Sequence, residues 1–443
     1  MPSQFDPASG TRDFLAAEFE RREWAFGAIR SVFQRYGFEP LQTPAFERLD
    51  VLLGKYGDEG DKLVFKILRR GEHEASGEAD LALRYDMTVP LARVAAAYGS
   101  QLTWPYKRYV MGPVWRADRP GKGRFREFVQ CDVDTLGSTS PLADAEILCA
   151  HHDVMTEVGI GEFTVALNSR HVLAGLLEAF KISPELGTGV LTSLDKLDKL
   201  APADVTAELA ERGLAPERAG ELVEVISAPD AADRVRAALK PSEAGQAGLD
   251  EVDAVLELVG AQLPAGRVVF TPSLVRGLSY YTGPIWEVRA PGAAGSLGGG
   301  GRYDHLIEAL GGPDVPAVGS SIGVERILSL LPDAAADGQG RLDVAVTILG
   351  GEQAGGDLAA QSFALAAAAR SAGLRASVYL GSSGKIGKQL RWASDQGARW
   401  CLIYGTRERE AGLVKVRDMV SREEADVPPG DVADYLARAA ARP

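Results

Sequence analysis

The sequence predicts an α+β chain: a strand-rich first part interrupted by a helical insertion, then a C-terminal α/β module. Three observations predict it. A long hairpin pattern runs from Arg108 to Leu136. An acidic, Ala/Leu/Glu-rich stretch with helical periodicity runs from about Lys181 to Leu263. From Leu342 onward strands and helices alternate regularly, as in a compact α/β unit. A length of 443 residues fits two to three domains. The boundaries read as 1–180, 181–263, 264–332, a linker over 333–341, and 342–443.

Each element has a local reason. Phe26, Ile29, Phe33 and Tyr36 recur at spacings of three and four and predict a helix over Phe14–Tyr36, stopped by Gly37. Pro40 and Pro44 mark the next segment as extended or edge-like. Leu63–Leu68 and Leu81–Asp86 are short strand candidates, and Thr88 with Pro90 fits a helix start with Thr88 as the cap. Arg108–Arg116 and Glu127–Leu136 read as strands. The loop between them is too long and too basic for turn chemistry alone. A helix over Leu142–Val158 and a strand at Phe163–Asn168 follow. Strand-like and glycine-rich segments return at Arg267–Val288 and Gly298–Gly301, then a helix at Val324–Leu331. The C-terminal module reads as strand 343–349, helix 358–372, strand 375–380, helix 386–396, strands 400–405 and 413–419, and a helix from Val432.

Composition excludes several classes. With 46% hydrophobic and 25% charged residues, disorder is not expected. No apolar run approaches the roughly 18 residues that span a bilayer, so no membrane partner is expected. The N-terminus lacks a basic and an apolar region and is not a secretory signal. Cys131, Cys149 and Cys401 fit neither a disulfide framework nor a zinc spacing, which points to a reducing cytoplasm and no metal site. The net charge of −13 argues against a nucleic-acid-coated protein, but its distribution is uneven. Trp104–Arg126 carries seven Lys/Arg and one Asp, whereas Lys181–Gln262 carries eight Lys/Arg against sixteen Asp/Glu.

Four clusters could carry chemistry. The hairpin offers Arg116, Arg119, Lys122, Arg124 and Arg126, with Gln130, Asp132 and Asp134 sharing one face of the return strand. This could be an anion site or a salt-bridged surface. Arg276 precedes Tyr280 and Tyr281, an arrangement equally consistent with an aromatic core strand. Gly298–Gly301 would let backbone approach a ligand, or would be a flexible loop. Gly319, Gly323 and Arg326 lead into a helix that could admit an adenine ring or simply pack closely on a sheet.

Taken in this order, the clusters make the chain resemble class II aminoacyl-tRNA synthetases. Pro44, Arg116 and Arg326 fit the signature positions of their three motifs. RGLSYYTG and GGGGRYDHL resemble the histidine-recognition segments of the histidyl-tRNA synthetase family, and GTRDF, LRYDMTVPLAR and GKIGKQLRWASDQGARWCLIYG are also similar to it. The resemblance runs from about Gly10 to the C-terminal module. It implies a class II antiparallel-sheet catalytic domain with a helical insertion, followed by an α/β anticodon-binding domain.

The resemblance also implies the chemistry. Histidine would be adenylated with ATP, supplied with Mg2+, and then moved to tRNA(His). No permanently bound cofactor and no resident metal are implied. Arg116 and Arg276 would be the catalytic cations on the α-phosphate, Arg124 would meet the outer phosphates, and Arg326 would flank adenine. Arginine suits this because it is permanently charged and grips phosphate bidentately. Asp86, Met87, Thr88, Gln130, Asp134, Tyr280 and Tyr281, with Arg116 and Arg276, would hold histidine. A homodimer is implied by the motif at Pro44. Ser279, His305 and Ala16 depart from the family's usual Asp, Gly and Pro. Two other readings stand beside this one: a non-catalytic regulatory subunit of ATP phosphoribosyltransferase, and a class II synthetase for another amino acid.

Overall fold

The computed structural model describes residues 5–56, 60–71, 76–121, 123–198, 200–275, 280–332, 342–349 and 355–441. Arg276 and Ser279, Lys122 and the 333–341 linker lie outside them. The chain divides into two compact units, Met1–Asp333 and Ala334–Pro443.

In the first unit the strands are Glu39–Pro40 (β1), Phe46–Arg48 (β2), Lys66–Leu68 (β3), Ala79–Leu83 (β4), Tyr106–Trp115 (β5), Glu127–Leu136 (β6), Thr164–Ser169 (β7), Val268–Phe270 (β8), Pro284–Arg289 (β9), Gly298–Arg302 (β10) and Ala317–Gly323 (β11). Among the described residues eight of them form one sheet, in the order β1-β5-β6-β11-β10-β9-β7-β8. Only the outer pairs β1–β5 and β7–β8 are parallel. Pro40 sits on an edge strand, where its missing N–H does no harm. A smaller antiparallel sheet, β2-β4-β3, lies beside the main one in sequence.

Helices back the main sheet. The first spans Ala16–Arg35, buries Ala25, Ile29, Val32 and Phe33, and ends where Gly37 takes a φ of 75°. The helix Pro141–Glu157 is capped by Ser140, whose side chain accepts from the Leu142 N–H at 3.3 Å. A helix over Arg170–Ala179 follows β7 directly, an element the apolar periodicity did not single out. Among the described residues five α-helices fill 184–260 without a strand, and three of them open on a proline in the first turn. The last, Glu243–Gly260, packs on Arg170–Ala179 and on Pro141–Glu157. Gly175, Gly245 and Gly248 line that crossing, and a Cβ on any of them would collide with the facing helix or with Leu239. The acidic stretch is thus joined to the sheet through one closely packed helix.

The glycine run is not a loop. Gly298–Gly301 form the interior strand β10, paired on both sides by β9 and β11. A Cβ on Gly298 would meet the His151 ring, one on Gly300 the Gly319 carbonyl, and one on Gly301 the Pro284 carbonyl. Close sheet packing, not flexibility, requires these glycines.

In the second unit the strands Val344–Val346 (β12), Ala376–Val378 (β13), Trp400–Ile403 (β14), Val414–Asp418 (β15) and Glu424–Val427 (β16) form a sheet ordered β13-β12-β14-β15-β16. The helices Gly355–Ser371, Ile386–Asp395, Thr406–Ala411 and Val432–Ala440 accompany it. β16 and Thr406–Ala411 are too short and too charged to show in the apolar pattern. Gln389, fully buried, donates to the carbonyls of Ile348 and Ser383 and accepts from the Ile348 N–H at 2.8 Å. It fastens its helix to the chain just after the interior strand β12. Among the described residues no helix is long and apolar enough to cross a membrane.

Candidate active site

A cavity of about 340 Å³ opens on one face of the main sheet. Its floor is built by strand alternation. Gln130, Asp132 and Asp134 all point from β6 to the cavity side and all are buried. Cys131 and Val133 point the other way into the core.

Burying carboxylates penalises their charged form. Burial pushes Asp132 up to about 7, partly opposed by the Arg108 cation. Asp134 is also raised by burial, and Arg108 again opposes the shift. Arg108 stands directly opposite Asp134 across the β5–β6 ladder and is fully buried. Its Nη2 lies 2.8 Å from Asp134 Oδ2 and donates to the Met87 carbonyl at 3.0 Å. The Tyr303 hydroxyl donates to the other Asp134 oxygen. On the opposite neighbour, Gly319 pairs with Asp134, and a Cβ there would collide with the carboxylate. Asp134 is therefore fixed from three sides.

The loop before the helix Thr88–Tyr98 supplies the next wall. Thr88 does not cap that helix: it is its first residue, and no side chain caps from the N-cap Met87. Asp86 does the work instead. Its Oδ1 accepts from the Thr88 and Val89 N–H groups at 3.2 and 3.0 Å and from the Tyr56 hydroxyl at 3.1 Å. The correction is physical: a carboxylate two residues upstream reaches the free amides better than a hydroxyl already inside the helix. Burial raises Asp86 despite these bonds.

Four acceptor oxygens at this floor remain without a hydrogen-bond partner: Asp86 Oδ2, Gln130 Oε1, Asp132 Oδ1 and Asp134 Oδ2, of which only the last has an ion pair, with Arg108. Gln130 spends its amide on Ser321, donating to Oγ at 2.9 Å. Leaving a buried acceptor unpaired costs about 1–3 kcal/mol, so the three that lack an ion pair as well mark a place built for a donor.

Tyr280 and Tyr281 close the pocket from the segment preceding β9, their rings 5.0 Å apart. Tyr280 also meets the Tyr303 ring edge-on at 5.9 Å. The Tyr280 hydroxyl is buried and raised well above its ordinary range by desolvation.

The rim is basic. Arg116 lies with its guanidinium 4.3 Å over the Tyr85 ring and donates from Nε to the Tyr85 carbonyl at 3.1 Å. No carboxylate of a described residue forms an ion pair with it. Arg124 is exposed and pairs with Asp118 at 2.8 Å. Gly123, with a φ of 71°, turns the hairpin tip so that Arg124 and Gly121 pair across it. Arg326 donates to the Ser296 carbonyl at 2.6 Å. Its neighbour Glu325 accepts from Arg22 at 2.9 Å and from the Val129 N–H at 3.2 Å, tying the helix Val324–Leu330 to β6 and to the first helix.

The structure thus brings Asp86, Thr88, Arg116, Arg124, Gln130, Asp134, Tyr280, Tyr281 and Arg326 around one cavity. Met87 lies under the floor, with its carbonyl on Arg108. Arg276 is outside the described residues. Pro44 is exposed between β1 and β2, away from the cavity lining, and its carbonyl accepts from Arg84 at 3.3 Å. Sequence reasoning missed Tyr303, Arg108, Tyr56 and Glu325. The hairpin register held the signal for Arg108, since it falls opposite Asp134; Tyr56 carried no local signal.

With this geometry in view, the comparisons are consistent. The family model described as histidyl-tRNA synthetase matches residues 10–327, and the one described as anticodon binding domain matches 343–439. A histidine–tRNA ligase of Gloeobacter violaceus is 39% identical over 458 residues, covering 97% of each chain. One of Ruegeria pomeroyi is 38% identical, covering 93% of this chain and 88% of its own. The crystal structure of histidyl-tRNA synthetase from Nostoc sp. PCC 7120 superposes with a TM-score of 0.77 at 30% identity, covering 99% of this chain and all of that one. A Bacillus halodurans structure described as an ATP phosphoribosyltransferase regulatory subunit/histidyl-tRNA synthetase shares the fold, with a TM-score of 0.73 at 20% identity. A buried carboxylate floor under a cationic rim, in a chain matched from end to end by such relatives, identifies it as a member of the histidyl-tRNA synthetase family.

Proposed function

We infer that this chain ligates L-histidine to tRNA(His), as a class II aminoacyl-tRNA synthetase. In the first step a histidine carboxylate oxygen attacks the α-phosphorus of ATP, the bond to the β-phosphate breaks, and pyrophosphate leaves. In the second a ribose hydroxyl of the terminal adenosine takes the histidyl group from the adenylate, and AMP leaves. The observation that carries this reading is the pairing of an acidic, hydrogen-bonding floor with a rim arginine that no described carboxylate neutralises. Both reactants are anions, so fixed positive charge must stand where negative charge accumulates.

Arg116 and Arg276 hold the α-phosphate, Arg124 meets the outer phosphates, and Arg326 flanks adenine. Asp134 and Tyr281 read the imidazole, while Asp86, Thr88 and Gln130 hold the amino and carboxylate end. A site built on buried hydrogen bonds rejects apolar isosteres, because its polar groups would be left unpaired. Magnesium arrives with ATP and neutralises phosphate charge; Glu287 on the cavity wall is an oxygen donor of the kind it takes. The work divides along the chain: residues 1–180 and 264–332 form the catalytic domain, 181–263 the insertion, and 342–443 the anticodon-binding domain. Exposed Lys385, Lys388 and Arg391, one turn apart on or beside the helix Ile386–Asp395, suit an RNA backbone. The active form is a cytoplasmic homodimer.

The regulatory-subunit alternative is not favoured, because the full-length curated relatives are ligases. The test is ATP–pyrophosphate exchange with each amino acid in turn. Exchange that depends on histidine alone is expected; exchange with another amino acid, or none, overturns the reading.

A further inference from the structure

The three floor oxygens with neither a hydrogen bond nor an ion pair match one kind of group. Asp86 Oδ2, Gln130 Oε1 and Asp132 Oδ1 are acceptors without donors. Two belong to carboxylates, and all three side chains line the same cavity. A primary ammonium carries three N–H donors and one positive charge. Asp132 stands in the β6 row between Gln130 and Asp134 and faces Ser321 across the ladder to β11. Asp134 is already committed to Arg108 and Tyr303. Asp132 has no such commitment on Oδ1, and its side chain lines the cavity.

We propose that Asp132, together with Asp86 and Gln130, binds the α-ammonium of the amino-acid substrate, so that β6 divides its acidic residues between the two ends of histidine. Asp134, held by Arg108, serves the ring; Asp132, held by nothing cationic at bonding distance, serves the ammonium. The split has an electrostatic reason. Arg108 neutralises one carboxylate of the pair, and the substrate brings the cation that neutralises the other. This rests on the reading of the chain as a histidine-activating enzyme.

Two inhibitors of histidine-dependent pyrophosphate exchange test it. L-Histidinol keeps the ammonium and lacks the carboxylate; 3-(imidazol-4-yl)propionate keeps the carboxylate and lacks the ammonium. Asp132→Asn should raise the KM for histidine and the inhibition constant of histidinol on the order of tenfold to a hundredfold. The constant for imidazolylpropionate should stay within about twofold. Equal weakening of both inhibitors, or of neither, overturns the proposal.

The wild-type protein gives a second test should the variant not fold. The ammonium and the carboxylate shift the two imidazoles in opposite directions, so each inhibition constant is referred to the concentration of that inhibitor's neutral-ring form at each pH. The groups facing Asp132 are Arg108 on β5, Asp134 on β6, Asp86 before the helix Thr88–Tyr98, Ser321 on β11 and Arg84 after β4, while Cys131 beside it points to the other side of the sheet. Burial raises Asp86 and Asp134 as well, and it pushes Asp132 up to about 7. Above that pH it is ionised and favours the ammonium; below it the charge is lost. Histidinol's advantage should therefore fall severalfold from pH 8 to pH 6, and a flat ratio overturns the proposal. Absence of any histidine-dependent exchange overturns the functional reading and this inference with it, whereas normal exchange with unselective inhibitors overturns this inference alone.

Discussion

The floor and the rim of the cavity are opposites. The floor is acidic, buried and fixed by cross-strand pairing; the cation paired with it, Arg108, is fully enclosed. The rim is basic and carried by the hairpin tip, where Arg124 keeps most of its side chain in water. The difference teaches where each kind of charge can act. Under the sheet, water does not screen, so charge must be matched pair by pair and errors are costly. At the rim, screening is strong and single charges are worth less, but they reach a flexible triphosphate.

The contrast can be broken by substitution, beginning where the effect should be largest. Arg108→Met leaves Asp134 buried without its cation, and the first unit should lose about 3–5 kcal/mol in denaturant unfolding. Adding Asp134→Asn should restore part of that loss. A change under about 1 kcal/mol for the single variant would mean the pair is not the keystone of the floor. Arg116→Ala should leave the melting temperature nearly unchanged and lower kcat for exchange about 10²–10³-fold. If the melting temperature falls as far as activity does, Arg116 belongs to the scaffold and not to the phosphate site. Arg124→Ala should do least: a rise in the KM for ATP of about tenfold or less, shrinking as salt is added. An effect indifferent to salt would place Arg124 inside the desolvated site.

Much of this arrangement was legible in the sequence. Alternation put Gln130, Asp132 and Asp134 on one face, and the hairpin gave the rim its arginines. The C-terminal α/β order was plain because its strands and helices are separated by clear turns. What was not legible depended on contacts between distant segments. Tyr56 reaches Asp86 from 30 residues away with no local pattern, and Tyr303, though inside the GGGGRYDHL segment, reaches Asp134 from 169, which no local pattern reports. Asp86 displaced Thr88 as the cap because local propensity does not report a carboxylate folded back on the helix start. The glycine run was ambiguous for a related reason: a loop that needs freedom and a strand that needs thinness use the same residue.

That thin strand limits how the pocket could be remodelled. Where Gly298 and Gly299 line the cavity, the wall is bare backbone, so there is no side chain to shorten if a larger substrate is to be admitted. Nor can bulk be added at Gly298, Gly300 or Gly301 to exclude a smaller one, since each is already in contact with its neighbours. Any natural or engineered shift in amino-acid choice must therefore be written elsewhere, in Tyr280, Tyr281, Tyr303 and the acidic row of β6. On this side of the pocket its dimensions are set by the spacing of the strands themselves.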